Sequence, residues 1–423
     1  MHSRCSLFQK LKPVLLLCAT VSLVTGCSSG EQRNPVPFEL VDEATPVGFD
    51  RVRLWGDFNS EAAIRERMIQ RARNMKERFG DDAANGIVPK LNYLALSGGG
   101  QYGAFSAGVL NGWTEAGTRP VFDAVSGIST GSIIAPFAFL GSDYDHILEE
   151  VYTKTSTEDM LTPTVFSGVL YGSALADTTP LRNKIAQYVT PELLEKIAAE
   201  YRKGRLLWVG TTNIDVGRSV VWDMGAIAAS GRPEALQLFP DVILASAAIP
   251  MAFPPVFFDV EAGGKTYREM HVDGGVTSQV NILSPQIPNY LMEDLVGFDM
   301  DRTLYVVVNG AVIPPPEVID ARTFKIAGAS INTLWYAQAV GDLYKIHSVT
   351  ERDEVAANYA WIPASFDDMP DEEFDPVFMK KLFDLGGALL RKGALWQDVP
   401  PNFTERGSTA VERGERELPV IAN

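Results

Sequence analysis

A G-x-S-x-G motif centred on Ser129 contains the side chain best placed to act as a nucleophile. The motif lies between a strand-like stretch, Val121 to Val125, and a helix-like stretch, Ser132 to Leu140. A strand, a tight turn, a serine and a helix make a nucleophile elbow, in which glycines permit the turn and the hydroxyl stands above the sheet. Ser129 is therefore the candidate nucleophile, with Gly127 and Gly131 as the turn glycines. Taken alone, the motif is also consistent with an ordinary strand-to-helix turn.

A glycine-rich loop about thirty residues upstream could bind an anion. It follows a buried-strand pattern, Leu91 to Leu96, and precedes a helical pattern, Ala104 to Glu115. Three consecutive glycines at a helix N-terminus, Gly98, Gly99 and Gly100, present unpaired backbone N–H groups with no side chain in the way. In an acyl-transfer enzyme that anion is the tetrahedral oxyanion, and each such donor is worth about 2.7–4 kcal/mol of barrier.

The same loop also fits a dinucleotide-binding fingerprint. Gly98, Gly100 and Gly103 satisfy G-x-G-x-x-G, and Asp123 lies 20 residues beyond Gly103. That interpretation does not account for a second glycine-flanked turn immediately after Asp123. A Walker-type phosphate loop is excluded, because no Lys-Ser or Lys-Thr follows the glycines.

A serine nucleophile needs a base, and histidine is scarce. The sequence has four histidines: His2, His146, His271 and His347. His2 lies in a segment expected to be removed, and His146 and His347 lie in polar, helix-like stretches. His271 begins a His-Val-Asp-Gly-Gly run at the end of a strand-like segment, Lys265 to Val272, which makes Asp273 the alternative base. Gly274 and Gly275 would form the turn after it, although an Asp in this setting can also be a plain Asx-turn.

The order of glycine-rich loop, G-x-S-x-G and D-G-G resembles the patatin-like phospholipases, which use a Ser-Asp dyad. The resemblance covers approximately Asn92 to Gly310 and includes two supporting segments, Thr211 to Gly217 and Ala245 to Val256. It implies that Ser129 is the nucleophile and Asp273 the general base. It also implies that the backbone amides of Gly98, Gly99 and Gly100 form the oxyanion hole, with motif glycines Gly103, Gly127, Gly131, Gly274 and Gly275.

The resemblance implies an α/β fold, a three-layer α/β/α domain with a central, mostly parallel sheet. In this family the first loop commonly has the sequence D-G-G-G-x-R-G, whereas this chain has Ser97 in the Asp position and Tyr102 in the Arg position. Loss of that arginine removes a cation near the oxyanion loop. The pocket is therefore expected to attract an anionic head group less.

A carboxylate has an unperturbed pKa near 4, so Asp273 can serve as a base at neutral pH only if a desolvated pocket raises its pKa. It could then deprotonate Ser129, protonate the leaving alcohol and later activate water. A triad of Ser129, an acid and His347, in the chain order of α/β-hydrolases, is the alternative.

The N-terminus has the pattern of an export signal. A basic start, at Arg4, Lys10 and Lys12, is followed by the apolar run Val14 to Val24, which is too short to span a membrane. The next residues complete a sequence that resembles a bacterial lipobox ending at Cys27. We therefore expect lipid attachment at Cys27 and location at the outer membrane of a Gram-negative bacterium; an ordinary signal peptide with an incidental cysteine is the alternative.

The sequence suggests five parts. These are a lipoprotein signal peptide (1–26), a flexible tether (27–46), an N-terminal helical segment (47–90), a catalytic domain (91–310) and a helical, acidic C-terminal extension (311–423). Helices are expected from Ser60 to Phe79, Pro316 to Val349 and Asp375 to Lys392. The apolar stretch Val165 to Ala174 could line an acyl-binding cleft, although an ordinary loop over the core is the favoured interpretation.

The formal charge of −16 becomes −19 once a signal with three basic residues and no acidic ones is removed. Such acidity argues against nucleic acid and against attraction to anionic head groups. No metal-ligand cluster or cofactor motif is apparent. The sequence thus predicts a lipid-anchored serine acyl hydrolase acting on acyl lipid, of unknown oligomeric state. A carboxylesterase or acyltransferase of the same fold, or a catalytically silent lipoprotein that binds lipid or partners in the envelope, are the alternatives.

Overall fold

A single large mixed β-sheet carries the loops that contain the candidate residues. The structure, a computed structural model, describes residues 33–160, 162–163, 176–282, 286–312 and 318–403. The predicted signal peptide, Cys27, the stretch Val165 to Ala174 and the start predicted for the helix at Pro316 lie outside the described residues.

The strands form the sheet, and the α-helices pack around it. The strands are β1 (Thr45–Pro46), β2 (Arg53–Trp55), β3 (Lys90–Leu96), β4 (Ala124–Ile128), β5 (Thr162–Pro163), β6 (Ala176–Asp177), β7 (Leu206–Asn213), β8 (Arg218–Asp223), β9 (Val256–Ala262), β10 (Lys265–Asp273), β11 (Asp301–Ala311) and β12 (Ala356–Ile362). The α-helices are α1 (Glu61–Ala84), α2 (Gly103–Glu115), α3 (Thr130–Leu140), α4 (Asp145–Lys154), α5 (Thr157–Met160), α6 (Thr179–Tyr188), α7 (Pro191–Arg202), α8 (Met224–Ala229), α9 (Ala235–Ser246), α10 (Tyr290–Val296), α11 (Thr323–Arg352) and α12 (Pro376–Arg391).

The strand order is β1-β9-β10-β7-β4-β3-β11-β12, with β8 paired to β7 and β2 paired to β8. The central strands β7, β4, β3, β11 and β12 are parallel, while β8, β10, β9, β1 and β2 add antiparallel pairs at one end. The carboxyl ends of β3 and β4 therefore meet at one edge of the sheet. The loops that follow these two strands, which contain the glycines and Ser129, lie at that edge.

Strand β3 shows why the sheet is covered on both faces. Leu94 and Leu96 belong to one buried apolar cluster, together with residues of α2, α3, α7, α9 and α12. Tyr93 and Ala95 belong to a second cluster, together with residues of α1, α10 and α11. Because neighbouring side chains on a strand point to opposite faces, a nearly continuous apolar strand needs helices on both sides. The predicted three-layer α/β/α architecture is confirmed.

The N-terminal region already pairs with the sheet inside the segment predicted as a flexible tether (27–46). Residues Phe38–Glu43 form a 3₁₀ helix, β1 pairs with β9, and β2 pairs with β8. Asn34 also donates a hydrogen bond to the carbonyl of Thr266 at 3.0 Å. Strands of two and three residues are too short to show a periodic pattern in sequence. The predicted helix from Ser60 to Phe79 is confirmed as α1, which runs to Ala84 and buries Met68.

The C-terminal region is part of the same body rather than an extension. Strand β12 pairs in parallel with β11, so the helix before it, α11, belongs to a crossover between two strands of the sheet. Helix α11 begins at Thr323, later than predicted. Helix α12 packs closely along α2, and Asp375 caps its N-terminus by accepting from the backbone amides of Val377 and Phe378. Among the described helices, none has the length and apolar character needed to cross a membrane.

Candidate active site

Ser129 lies immediately after β4 in a strained backbone conformation, with φ 52° and ψ −122°. A non-glycine residue with positive φ in this region costs on the order of 1–3 kcal/mol, and such strain concentrates at functional sites. The flanking glycines allow the turn: a Cβ on Gly127 would lie 2.2 Å from the carbonyl oxygen of Gly131, and one on Gly131 would lie 2.4 Å from that of Leu96. The local geometry is that of a nucleophile elbow.

Ser246, at the end of α9, holds this turn in place. The backbone amide of Ser129 donates to Ser246 Oγ at 2.9 Å, and that hydroxyl donates to the carbonyl of Gly210 at 2.7 Å. Ser132 Oγ donates to the carbonyl of Ser129 at 2.6 Å. Sequence reasoning noted the segment that contains Ser246 but gave this residue no role. A buried polar residue in an apolar run, Ile243 to Ala248, was the available signal.

Asp273 is the last residue of β10, and its carboxyl lies next to the Ser129 hydroxyl. Its Oδ1 accepts from the backbone amide of Gly275 at 2.7 Å. Its Oδ2 is buried and has no hydrogen bond of normal geometry to any described residue. Burial raises the pKa of Asp273 to about 7, against the lowering effects of the Ser129 hydroxyl and the Gly275 amide. The hydroxyl is thus near the carboxylate, in an arrangement looser than a fully formed hydrogen bond.

The glycine loop supplies fewer free amides than the sequence predicts. The amide of Gly98 donates to the carbonyl of Gln279 at 3.0 Å, so this donor is already occupied, which corrects the expectation for Gly98. Within the described part of the chain, the amides of Gly99 and Gly100 donate no hydrogen bond. Both residues have positive φ, and a Cβ on Gly99 would lie 2.1 Å from the carbonyl oxygen of Asn309. Gly99 and Gly100 are therefore the available donors of this loop.

Asn309 near the end of β11 fixes the shape of that loop. Its side-chain amide donates to the carbonyl of Ser97 at 2.9 Å, and its backbone amide donates to Ser97 Oγ at 2.8 Å. Its Oδ1 accepts from Ser106 Oγ at 2.6 Å. Ser97, in the position of the family's aspartate, is therefore a buried bridge between two strands. Sequence reasoning missed Asn309, although a polar residue at the end of an apolar strand was a usable signal.

Tyr102, in the position of the family's arginine, does not replace that cation. Its ring packs edge-on against Phe378 of α12 with a centroid separation of 5.4 Å. Burial raises the pKa of Tyr102, with a further contribution from Tyr336. The side chain is thus a neutral packing contact between the oxyanion loop and the C-terminal helix.

An apolar cavity of about 850 Å³, counted with its open mouth, extends from Ser129. Gly100 and Ser129 are among its lining residues, and most of the wall is aliphatic and aromatic. Among the lining residues that the structure describes, Lys184 is the only charged one. The apolar wall includes Ile133, Phe137, Leu181, Ile185, Ile243 and Met379. A cavity with this lining is suited to a hydrocarbon chain.

The surroundings of Asp123 and His347 test two alternatives, the dinucleotide-binding loop and the catalytic triad. Asp123 directly precedes β4, at the opposite end of the strand from Ser129, and it is paired with Arg78 at 2.7 Å. An acidic residue there cannot reach a nucleotide bound at the glycine loop, so the dinucleotide interpretation is wrong. His347 contacts Tyr359 and Phe403, and neither it nor these two residues line the cavity at Ser129. The triad through His347 finds no support in this arrangement.

His271, which introduces the Asp273 run, is a buried structural residue. Its ring nitrogens lie 2.9 Å from Thr211 Oγ1 and 3.1 Å from Glu269 Oε2. Burial lowers the pKa of His271, in opposition to Glu269. Across the described ranges, no group of three histidine, cysteine or acidic residues is arranged to hold a metal ion.

The fold and this site define an α/β protein with a serine elbow that opens into an apolar cavity. Residues 94–285 match the family model of the patatin-like phospholipases. The chain thus carries a patatin-like phospholipase domain, and it is a lipid acyl hydrolase. No curated protein sequence matches the chain significantly.

Three solved structures show distant similarity to the chain. VipD from Legionella pneumophila is 14% identical with a TM-score of 0.30, and the match covers 72% of this chain and 67% of that one. ExoU, in its complex with SpcU from the type III secretion system of Pseudomonas aeruginosa, is 16% identical with a TM-score of 0.32, covering 72% and 53%. Human GIVD cytosolic phospholipase A2 is 9% identical with a TM-score of 0.26, covering 68% and 51%. Similarity at these values supports no conclusion about substrate, and the assignment depends on the family match.

Proposed function

We propose that this lipid acyl hydrolase works through a Ser129–Asp273 dyad and an acyl-Ser129 intermediate. The observation that carries the proposal is the buried Asp273 carboxyl next to the strained Ser129, with one oxygen unpartnered and a pKa raised to about 7. A base with a pKa near the working pH combines the correct protonation state with sufficient basicity. No cofactor is part of the proposed chemistry.

In the first half-reaction, Asp273 takes the proton from Ser129 as the serine oxygen attacks the acyl carbonyl carbon. The carbonyl oxygen becomes an oxyanion that accepts from the free amides of Gly99 and Gly100. The tetrahedral intermediate collapses and breaks the ester bond. The departing alkoxide takes the proton back from Asp273, which leaves an alcohol and acyl-Ser129.

In the second half-reaction, Asp273 takes a proton from water while the water oxygen attacks the acyl-Ser129 carbonyl. The same two amides stabilise the second oxyanion. Collapse of this intermediate returns the proton to the Ser129 oxygen and releases the fatty acid. One carboxyl group therefore performs every proton transfer, which is why its pKa must lie near neutrality.

The apolar cavity supports a long acyl chain, and hence an acyl lipid, rather than a short ester. A phospholipid is our preferred substrate, with the chain acting as a phospholipase A or lysophospholipase. The neutral Tyr102 in place of the family's arginine favours lipids whose head group does not require a cation at that position. Other acyl esters remain the competing substrates.

The test compares a medium-chain p-nitrophenyl ester with a phospholipid as substrates. We expect Ser129→Ala and Asp273→Asn to abolish release from both, with unfolding midpoints showing that each variant is folded. Asp223→Asn is the matched control, because Asp223 is also a buried aspartate with a raised pKa but caps α8 away from Ser129. Activity on the ester alone would favour a carboxylesterase, and an inert native protein would favour a silent binding lipoprotein.

We also propose that the chain is exported and attached by lipid at Cys27 to the outer membrane. Support comes from the basic start, the short apolar run and the lipobox-like sequence. Metabolic labelling with an alkyne fatty acid should label the native chain in a Gram-negative host and should not label Cys27→Ser. Equal labelling of both would overturn lipid attachment at this residue.

A further inference from the structure

The first half of α11 is poorly covered by the rest of the protein. From Thr323 to Gln338, no side chain that the structure describes is buried. The first buried residue of the helix is Ala339, and burial continues through Leu343 and Ile346. A helix this long is normally stabilised by packing one face against a core. The second half of α11 is packed in this way, and the first half is not.

This uncovered half-helix is also nearly free of charge. Lys325 is the only charged residue between Thr323 and Gln338, in a chain whose net charge is −16. Ile326 is 50% exposed and Leu334 is 67% exposed. An uncharged helix surface with large exposed side chains is a mark of an interaction site.

The end of the half-helix lies close to the point where α11 is hydrogen-bonded to the loop after Asp273. Tyr336 is near enough to Tyr102, in the oxyanion loop, to contribute to raising its pKa. Asp342 accepts from Ser278 Oγ at 3.1 Å and from the backbone amide of Gln279 at 2.7 Å. These two residues lie three and four positions after Gly275, the last glycine of the Asp273-Gly-Gly turn. Helix α11 is thus hydrogen-bonded at Asp342, four residues after the uncovered half ends, to the loop that follows Asp273.

We propose that the uncovered half of α11 docks onto a lipid surface and brings the entrance of the Ser129 cavity to it. This inference rests on the proposed function, since an acyl-lipid hydrolase must meet a substrate that is held in an interface. The absence of acidic residues distinguishes this half-helix from the rest of an acidic chain, which a membrane would not attract. A second copy is the less favoured occupant, because it would bring two chains of net charge −16 together.

The first test uses a local probe that no other membrane attachment can mimic. The full chain carries Ser in place of Cys5, Cys18 and Cys27, and a polarity-sensitive fluorophore is attached at Leu334→Cys. On addition of phosphatidylcholine vesicles, we expect a blue shift of its emission. The control is the same label at Val121→Cys, which is 66% exposed and lies before β4, at the far end of the strand from Ser129.

Three outcomes would overturn the proposal: no shift at position 334, equal shifts at both positions, or a shift at 334 that follows protein concentration before vesicles are added. The last would identify a second copy as the occupant. Adding Ser129→Ala should leave the shift unchanged. The labelling result is therefore independent of whether the proposed chemistry is correct.

The second test separates interfacial binding from chemistry. Ile326→Glu with Leu334→Glu should lower hydrolysis of phosphatidylcholine vesicles by about tenfold or more, because two apolar side chains no longer enter the lipid. Hydrolysis of a dissolved short-chain ester should not change. Val121→Glu should alter neither activity. Equal losses on both substrates in the double variant would contradict lipid docking, whereas a native protein inert on both would contradict the proposed function alone.

Discussion

The middle and the end of β10 hold two buried carboxylates with opposite properties. Glu269 is 1% exposed and Asp273 is 3% exposed. Burial by itself would raise the pKa of both. At Glu269 the hydrogen bond to His271 and the charge of Arg53 overcome burial and lower the pKa to about 2, whereas at Asp273 no cation opposes burial and the pKa rises to about 7.

The comparison separates a structural carboxylate from one suited to proton transfer. Arg53 forms two hydrogen bonds to Glu269, so the N-terminal strand β2 is bound through this ion pair to β10. Asp273 has only the Gly275 amide as a firm partner, and its second oxygen remains open toward Ser129. The hydrogen bond from His271 and the cation Arg53, and not the depth of burial, distinguish Glu269 from Asp273, which has neither kind of partner.

The largest expected difference is in activity. Asp273→Asn should lower kcat/KM by about 10³–10⁴-fold, because general base catalysis of this kind contributes up to roughly 10⁴-fold. Glu269→Gln, which removes the charge four residues away on the same strand, should leave kcat of the folded protein within a few-fold. Steady-state kinetics on the p-nitrophenyl ester measures both. Comparable losses in the two variants would remove the distinction between the two carboxylates.

The next difference is in stability. Glu269→Gln should lower the free energy of unfolding by about 3–5 kcal/mol, because Arg53 is left buried without its anion. Since the pKa of Glu269 lies below its unfolded value, the native stabilisation is complete above about pH 5 and is lost as the pH falls toward 2. Urea unfolding at pH 7 measures the effect. The double variant Arg53→Met with Glu269→Gln is the control, and it should recover part of the loss.

Ionisation of Asp273 should change the stability with pH in the opposite direction to ionisation of Glu269. Between its unfolded pKa and about 7, the folded protein keeps a proton that the unfolded chain has lost, so raising the pH destabilises the folded state. As the pH rises from 5 to 8, the free energy of unfolding of Asp273→Asn should therefore increase by up to about 3 kcal/mol relative to that of the native chain. Urea unfolding of both proteins at the two pH values measures this. If the difference between them did not change with pH, the pKa of Asp273 would not be raised.

The sequence predicted the residues of these loops better than their surroundings. Ser129, Asp273 and the glycines stand in short local motifs, and β3, β4 and β10 stand in apolar runs, so each is visible within a few residues. Ser246, Asn309 and Gln279 act across the fold, and nothing nearby in sequence links them to the loops that they hold. The same reason explains Gly98: its partner, the carbonyl of Gln279, is far away along the chain.

The Arg53–Glu269 ion pair could not be predicted from the sequence for a related reason. The two residues are separated by 216 positions, and β2 is only three residues long. A charged residue in such a short segment gives no sign that it will be buried. Charge balance inside the protein, which sets the pKa of both carboxylates, therefore depends on topology that local patterns do not contain.

The smallest expected effect tests the comparison most directly, by giving Asp273 the cation that Glu269 already has. Gln279 lies beside this carboxylate: a Cβ on Gly275 would be 2.6 Å from Gln279 Nε2 and 3.0 Å from Asp273 Oδ1. Gln279→Lys would place an ammonium there and lower the pKa of Asp273 by about one unit or more. The acidic limb of kcat/KM, expected near pH 7 in the native protein, should move down accordingly.

The plateau rate of Gln279→Lys should also fall, because a weaker base accepts the Ser129 proton less readily. Gln279→Met is the matched control, since it removes the hydrogen bond to Gly275 without adding charge, and its acidic limb should stay near pH 7. A limb that stays in place in the lysine variant would mean that another group titrates in the reaction. A limb that moves equally in both variants would assign the shift to the lost hydrogen bond, and the cation would not be what distinguishes Glu269 from Asp273.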